Sequence, residues 1–407
     1  MDVFFQELKR QFNTKRLMIY ILISILLAGL FTVFIVNGIT EDFMQTGCYK
    51  NYKGRAAIEV AARDRNVTAG EMTESKFQKA CNIYLHSLKG DNESDVVISK
   101  RLLQYAVYAD RLVMQELSLR NMRGESTKGL GHIHKDAGTH FYEHEDLYYR
   151  SYIYKNAHNE SEKNLALSMW NNVKKPYVYY SGFNAWDNGI TYMQLFSFVL
   201  MVMVGIFASS IIAKDKESGM NEIITTTVKG KKKLTIAKII VPWIFASIIY
   251  ICGVGFYIVL LRQLLPVSAL NTSLQVFSQS ILPYNQGELL RILFIFGVVG
   301  ILTIASFSTF VSSIVKKSSR AIQISTLTIL GAFIFSIFIN MDGPIIDAIK
   351  IIIPGGLIFS YTGSTKFPIT TILGRAFWIP SISLIVSIVI FLLSILFTAL
   401  NYGRQRR

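Results

Sequence analysis

Four histidines in one polar stretch of the chain could bind a metal ion: His132, His134, His140 and His144. His140, Glu143 and His144 match the pattern H-x-x-E-H, in which a helix presents two imidazoles to zinc and the glutamate activates a zinc-bound water. Five residues match such a pattern easily by chance, and no third ligand is evident. Solvated loop histidines, a structural metal site and a catalytic zinc site remain alternatives, and we expect no metal.

A second pattern approximates a phosphate-binding loop. Gly124 and Gly129 have the glycine spacing of a P-loop, but Leu130 occupies the position of the lysine that contacts the phosphates. We therefore expect no nucleotide site and no cofactor in this chain.

Two cysteines, Cys48 and Cys81, belong to the same polar stretch. In an oxidising compartment they could form a disulfide, and closing a loop of that length would contribute about 3–4 kcal/mol. Cys81 also falls on the apolar face of a predicted helix, so two buried thiols are an equal alternative.

The elements that must position these residues are dominated by apolar sequence. Hydrophobic residues make up 51% of the chain and charged residues only 17%, which is too apolar a balance for a soluble domain. A membrane-spanning helix needs about 20 apolar residues, and six runs without Asp, Glu, Lys, Arg or His meet that length. They are residues 17–36, 190–213, 239–261, 292–315, 321–341 and 376–400. The lack of ionisable groups inside them argues against transport driven by protons or sodium.

The distribution of basic residues predicts the orientation in the membrane. With the N-terminus inside, the cytoplasmic segments carry 17 basic and five acidic residues, whereas the short outer loops carry five basic residues. By the positive-inside rule both termini are cytoplasmic. Most of the net charge of +15 is therefore explained by topology, which makes nucleic-acid binding a poor interpretation.

Residues 37–189 form a polar segment between the first two runs. Apolar residues recur at helical spacing over 73–89, 94–120 and 161–173, and glycines between 124 and 138 indicate a loop. The segment is large enough for a core of its own, so we predict a mainly helical extracytoplasmic domain. Trp186 and Tyr192, near its end, are expected at the membrane interface.

The segment near 345–365 is apolar but too short to span a membrane. Pro354, Gly355 and Gly356 interrupt it directly after a run of three isoleucines. Such a break suits a re-entrant or interfacial element before the sixth helix.

Two segments on the predicted cytoplasmic side are amphipathic. At the N-terminus, Phe4, Leu8 and Phe12 share one helical face, and basic residues including Lys9 and Arg10 are expected to face lipid phosphates. Between the second and third runs, residues 214–238 begin with an acidic, glycine-containing stretch, continue as a short helix and end in lysines. The residues expected to contact a partner there are Asp215, Glu217, Gly219, Met220, Ile223 and Ile224.

This layout resembles that of ABC-2-type permeases, the membrane subunits of ABC exporters. The resemblance implies an all-α membrane protein with an elbow helix (1–16), a first transmembrane helix (17–36), the extracytoplasmic domain (37–189) and a second transmembrane helix (190–213). A coupling loop (214–238) and transmembrane helices 3–6 with the re-entrant segment (239–407) complete it. Val228-Lys229-Gly230 departs from the family, which commonly has a proline in that loop.

The resemblance also implies partners. A separate ATPase subunit would carry ATP and Mg²⁺ and dock near residues 215–232, and a second permease chain, identical or different, would complete the pathway within the lipid. This chain would itself not be an enzyme. Uncharged spans favour an amphipathic substrate, such as a peptide, an antibiotic or a lipid-like molecule, exported across a plasma membrane, and we expect a bacterial source.

Two other functions remain open. A membrane-anchored sensor or immunity protein would bind a peptide or lipid-like ligand through the outer domain without transport. A zinc-dependent membrane hydrolase would use the histidine pattern. Ligand binding without ATP consumption would indicate a sensor or immunity protein. Stoichiometric zinc in the outer domain would indicate a hydrolase.

Overall fold

The computed structural model of the chain describes residues 3–12, 14–38, 51–90, 96–125, 133–220, 230–339, 344–361 and 367–404. The chain starts with α1 (Val3–Gln11) and α2 (Thr14–Gly38). A polar domain follows, which we define as the described residues from 51 to 182. Its helices are α3 (Gly54–Arg65), α4 (Glu74–Ser87), α5 (Lys100–Arg123), α6 (Phe141–Asn156) and α7 (Glu160–Asn171).

The remaining helices, α8 to α14, belong mostly to an apolar bundle. They are α8 (Phe183–Glu217), α9 (Gly230–Tyr250), α10 (Phe256–Leu264), α11 (Gln286–Ile314), α12 (Ser318–Ile337), α13 (Pro344–Ile352) and α14 (Ile379–Arg404). A π-helical turn, Ile251–Gly255, joins α9 to α10 into one long helix. Short 3₁₀ turns cover Val267–Asn271, Leu274–Val276 and Gly356–Phe359.

Among the residues that the structure describes, six helices are long and apolar enough to cross a membrane, which confirms the predicted number. They are α2, α8, α9 with α10, α11, α12 and α14. In α8 and α11, 61% of the most apolar window is buried inside the protein, against 22% in α14. The first two therefore form the centre of the bundle, and α14 exposes most of its apolar surface at the periphery, where lipid would cover it.

Small side chains allow the central helices to approach closely. A Cβ atom on Gly205 of α8 would lie 2.6 Å from Ile329 Cδ1 and 3.6 Å from Ser308 Oγ. Ser312 Oγ of α11 accepts hydrogen bonds from the backbone N–H groups of Ile212 and Ala213. The small-residue positions of these helices thus serve packing within the bundle.

The polar domain has its own core, built largely from aromatic side chains. Phe77 of α4 and Phe141 of α6 stack at 3.6 Å between ring centroids, and Tyr149 and Trp170 stack at 4.0 Å. The buried Glu145 carboxylate accepts hydrogen bonds from Arg111, from Gln115 and from the Tyr177 hydroxyl. Most of these aromatic residues therefore stabilise the domain instead of forming an exposed ligand surface.

The sequence pattern predicted only part of this domain. Helices α4 and α7 lie close to the predicted ranges, but α5 begins at Lys100 instead of residue 94, with Ser99 accepting the N–H of Leu102 as its N-cap. Helices α3 and α6 were not predicted. Trp186, expected at the interface, is fully buried and donates its indole N–H to the Pro266 carbonyl.

Two short antiparallel strand pairs are present, so the described fold is mostly but not entirely α. Strands β1 (Gly70–Glu71) and β2 (Val178–Tyr179) pair within the polar domain. Strands β3 (Ile369–Ile372) and β4 (Arg375–Trp378) form a hairpin just before α14. Both residues of its turn have positive φ, Leu373 at 51° and Gly374 at 79°, as the twist of a two-residue hairpin requires.

The β3–β4 hairpin attaches the polar domain to the last helix of the bundle. Thr371 Oγ1 donates to Glu162 Oε1 at 2.8 Å and accepts from Asn159 Nδ2 at the same distance. The Ala376 N–H donates to Ser161 Oγ. All three partners lie in the first turn of α7 or at its N-cap, so α7 and α14 are joined through the hairpin.

The close contact of Gly297 with Tyr250 provides a test of bundle packing. A Cβ on Gly297 would lie 1.6 Å from the Tyr250 hydroxyl oxygen and 2.4 Å from Cζ, so Gly297→Ala must displace a fully buried ring. We expect a lower unfolding temperature in detergent, with a cost on the order of 1–3 kcal/mol. Gly29→Ala in α2 is the control, since its Cβ would meet nothing within 4 Å. Equal unfolding temperatures for the two variants would contradict the packing described.

Candidate functional site

Helix α1 lies against one end of the bundle, which we call the basic end because most lysines and arginines outside the polar domain are there. Its predicted apolar face is only partly directed toward lipid. Leu8 and Phe12 pack against the bundle core, and the Phe12 ring stacks on Phe207 and Phe245 at 6.2 and 6.3 Å. Phe4 is half-buried and contacts Phe5 edge-on. The packing of Leu8 and Phe12 fixes the orientation of α1.

Two charged side chains of α1, Glu7 and Arg10, meet Asp215 of α8 and Lys238 of α9. We call these four residues the charge cluster. Arg10 Nη2 lies 2.8 Å from Glu7 Oε1 and 2.9 Å from Asp215 Oδ2. Lys238 Nζ lies 2.8 Å from Glu7 Oε1 and also binds the Asp215 carboxylate. The cluster therefore ties α1 to the end of α8 and to the third turn of α9.

The charge cluster is neutral, and three of its four members are buried, whereas Arg10 reaches it from the exposed side of α1. Lys238 is 0% exposed, and Glu7 and Asp215 are each 5% exposed. Two carboxylates oppose two cations, so each desolvated charge has partners of opposite sign. Gln11 adds a hydrogen bond to Glu7 Oε1, and Lys238 donates a further one to the Ile211 carbonyl at 3.2 Å.

The electrostatic surroundings of α1 favour the ionised forms of its charged residues. Burial by itself would raise the pKa of Glu7, but the Lys238 ammonium and the hydrogen bonds from Lys238, Gln11 and Arg10 outweigh burial, so the pKa lies below its ordinary value of 4.5. Burial would lower the pKa of Arg10, and the carboxylates of Asp215 and Glu7 reverse this effect and raise it. Both groups are charged at neutral pH.

The residues expected to contact a partner follow directly on from the charge cluster. Glu217 is exposed, and its Oε2 accepts the N–H of Ser318 at the start of α12 at 3.1 Å. Gly219 has a φ of +72°, a conformation that favours glycine and ends α8. Met220 is 41% exposed, with its Sδ 3.0 Å from Arg10 Nη1. Ile223 and Ile224 lie outside the described residues.

Asp215 differs from its neighbours because it is not available at the surface. Sequence reasoning grouped it with the partner-contacting residues, but the structure places its carboxylate inside the charge cluster. Arg10, expected to face lipid phosphates, also points into the cluster. In this arrangement Asp215 can hold the residues that follow it in a fixed position, whereas Glu217 and Met220 are exposed.

Pro354, Gly355 and Gly356 mark a break in helical structure that is packed inside the bundle. Gly355 has a φ of +95°, and a Cβ on Gly356 would lie 2.4 Å from the Lys350 carbonyl oxygen. The following 3₁₀ turn is buried, and Gln194 of α8 donates a hydrogen bond to the Ile358 carbonyl at 2.8 Å. Protein groups therefore satisfy this irregular backbone, as membrane depth would require.

The histidine pattern lies at the start of α6. His140 Nδ1 is 2.9 Å from Glu143 Oε2, both side chains are exposed, and the rings of His140 and His144 are 6.2 Å apart. His134 is exposed and His132 lies outside the described residues. Within the described ranges, no three His, Cys, Asp or Glu side chains form a group that could hold a metal ion.

The Cys81 thiol is buried and donates a hydrogen bond to the His134 carbonyl at 3.3 Å. Burial raises its pKa to about 11, so the thiol is protonated at neutral pH. Cys48 lies outside the described residues, and its pairing with Cys81 stays a prediction.

Sequence reasoning missed Glu7 and Lys238 as functional candidates. Lys238 was counted only as one basic residue of a cytoplasmic loop. A signal was present on α1, where Glu7 and Arg10 are three residues apart and Glu7 and Gln11 four, so that they share one face. Their partners are more than 200 residues away in the sequence, since 205 positions separate Arg10 from Asp215.

The fold and this basic end define a multi-pass membrane protein with an apolar bundle and an attached polar domain. A family model described as ABC-2 family transporter protein matches residues 92–400, more than half of the chain. The chain therefore belongs to the ABC-2 transporter family, and it is a membrane subunit of an ABC transporter, a class that associates with an ABC ATPase subunit. A comparison with curated proteins finds no match. Glu7 and Arg10 precede the matched range, so their role rests on the geometry.

A double-mutant cycle tests the charge cluster. Lys238→Met leaves two buried carboxylates facing one cation, so we expect a loss of about 3–5 kcal/mol in the free energy of unfolding. Glu7→Gln combined with Lys238→Met restores neutrality and should recover most of that loss. Lys9→Met, which removes an exposed charge from the same helix, should leave the unfolding temperature unchanged. A double variant less stable than Lys238→Met would argue against electrostatic compensation.

The lowered pKa of Glu7 predicts a dependence on acid. A carboxylate whose pKa is depressed in the folded state stabilises that state above its ordinary pKa of 4.5, and the contribution disappears as the pH falls through the folded pKa. The difference in unfolding temperature between the wild type and Glu7→Gln should therefore stay constant from about pH 7 to about pH 5.5 and shrink below 4.5. Thermal unfolding across this range measures it, and a difference that does not change with pH would contradict the assignment.

Proposed function

We propose that this chain is the permease of an ATP-driven exporter of an amphipathic substrate and that the charge cluster transmits movement from the ATPase to the bundle. The observation that carries the proposal is the position of Asp215. It bonds to α1 and α9 and lies only five residues before Met220, where the proposed docking segment begins.

The contacts around the charge cluster give a route for this transmission. Force on the segment after α8 would act on Asp215, and through it on Arg10 of α1 and Lys238 of α9. Next to it, Lys216 Nζ donates to the Ser313 carbonyl of α11, and Glu217 accepts the N–H of Ser318. Four helices, α1, α9, α11 and α12, therefore contact the end of α8, and a push there would shift them together.

In this proposal the basic end faces the cytoplasm and the polar domain lies outside. The positive-inside rule supports this orientation, which puts both termini on the side of the ATPase with its ATP and Mg²⁺. The break at Pro354–Gly356 would then be a re-entrant element in the outer half of the membrane. The lack of charges in the middle of the spans favours an amphipathic peptide, antibiotic or lipid-like cargo. A second permease chain would complete the pathway in the plasma membrane, and we propose a bacterial source.

A second candidate function is supported by a cavity in the polar domain. It has a volume of about 410 Å³ and is lined mostly by apolar residues of α5 and the preceding segment, including Ile98, Leu102, Val113 and Met114. An apolar cavity of this size could bind a peptide or lipid-like ligand, as a sensor or immunity protein would. Ligand binding that neither requires nor changes ATP hydrolysis would favour this second function.

Substitution in the docking segment tests the exporter proposal. Met220→Asp with Ile223→Asp places two charges where an apolar anchor would fill a groove on the ATPase. We expect a normally inserted protein that no longer co-purifies with an ABC ATPase from detergent extracts and no longer supports export. Co-purification is scored by mass spectrometry of the ATPase band and by ATP hydrolysis of the isolated complex.

The matched control for this experiment is Val67→Asp with Val97→Asp. Val67 is 73% exposed and Val97 is 45% exposed in the polar domain, so the control adds the same two charges at the opposite end of the protein. The control should keep both the ATPase and its hydrolytic activity. Retention of both by the Met220 and Ile223 double variant would overturn the docking role of this segment.

A further inference from the structure

A groove runs between α10 and α11 at the end of the bundle that carries the polar domain, far from the charge cluster. We call it the arginine groove. It has a volume of about 590 Å³, within the range of ligand sites, and it is closed at one end by the 3₁₀ turn Val267–Asn271. None of the residues of the charge cluster or of the docking segment contributes to it.

Two arginines are the charged residues of its lining. Arg262 lies in the last turn of α10 and Arg291 in the second turn of α11, and both are exposed. Neither forms a hydrogen bond or an ion pair with the residues that the structure describes. Glu288, in the first turn of α11, accepts the Asn285 backbone N–H in a capping box and forms no ion pair with either arginine among the described residues, so the two arginines leave the groove with a net positive charge. The groove is therefore complementary to an anion.

The rest of the lining is graded from polar to apolar. Asn271 and Asn285 lie near the arginines, whereas Ile258, Phe294 and Ile295 lie deeper in the bundle. Ile295 is about 6 Å below Arg291 along α11 at 1.5 Å per residue. Ile295 is also 55% exposed on the outer face of the bundle, so the groove opens toward the region that lipid would occupy.

The groove is positively charged at one end, apolar along its depth and open toward the lipid region. These properties match the polar headgroup and the apolar chains of a membrane lipid. We propose that the arginine groove binds one phospholipid, with its phosphate between Arg262 and Arg291 and its acyl chains along Ile258, Phe294 and Ile295. Two cations favour a lipid with net negative charge over a zwitterionic one, since the choline of the latter would add a cation.

Gly255 provides a way to fill the groove without altering its charge. It lines the deep part of the groove within the π-helical turn, its φ is −60°, and a Cβ there would meet nothing within 4 Å. Gly255→Phe can therefore be accommodated by the backbone while its ring occupies the space assigned to an acyl chain.

The test uses the purified full-length protein in detergent, titrated with phosphatidylglycerol or phosphatidylcholine and observed by native mass spectrometry. We expect one tightly bound phosphatidylglycerol, with weaker retention of phosphatidylcholine. Arg262→Gln with Arg291→Gln should weaken the phosphatidylglycerol binding by on the order of tenfold or more. Gly255→Phe should weaken the binding of both lipids.

Arg375→Gln is the matched control, because Arg375 is an exposed arginine of β4 outside the groove. It should bind lipid as the wild type does, and thermal unfolding without added lipid verifies that every variant is folded. Equal lipid retention in all variants would overturn the proposal, as would an equal loss in Arg375→Gln. A change from dimer to monomer at constant lipid retention would overturn it in favour of a contact between two copies of the chain.

Discussion

The mutual compensation of the charge cluster, in which Glu7, Asp215 and Lys238 are buried, is the constraint on which the basic end of this protein depends. Glu7 and Asp215 could not be desolvated without Arg10 and Lys238, because an isolated buried charge costs several kcal/mol. Each of the four therefore requires the correct placement of the others, and α1, α8 and α9 can occupy only a narrow range of relative positions. An amphipathic helix that would otherwise lie loosely on a membrane surface becomes a fixed part of the bundle.

The same requirement that buried polar groups find partners explains the irregular segment before the hairpin. After Pro354 the backbone leaves its helix inside the protein, and carbonyl groups lose their regular partners. Gly355 and Gly356 permit the turn, and the Gln194 amide satisfies the Ile358 carbonyl. The polar Gln194 side chain within apolar α8 is explained by its hydrogen bond to the Ile358 carbonyl, which lies more than 150 residues later in the chain.

Hydropathy predicted the six long helices because crossing a bilayer imposes a strong and local demand on composition. The polar domain was less predictable, since α6 is rich in tyrosine and its apolar face is masked by hydroxyl groups that find partners only after folding, as Tyr142 does with the Met72 carbonyl. The charge cluster could not be predicted, because it depends on which helix ends meet. Sequence reasoning assigned Asp215 to the coupling loop and could not indicate that its carboxylate is buried.

The β3–β4 hairpin has a consequence for biosynthesis. Asn159 and Thr371, which it brings together, are 212 residues apart in the chain. At translation rates of roughly 5–20 residues per second, the first turn of α7 waits about 10–40 s for its partner strand. During that interval the buried carboxylate of Glu162 lacks the Thr371 hydroxyl, and the polar domain is held by earlier contacts such as those of Val178 with Ser273. Its final docking is therefore among the last steps of assembly, after most of the bundle has been inserted.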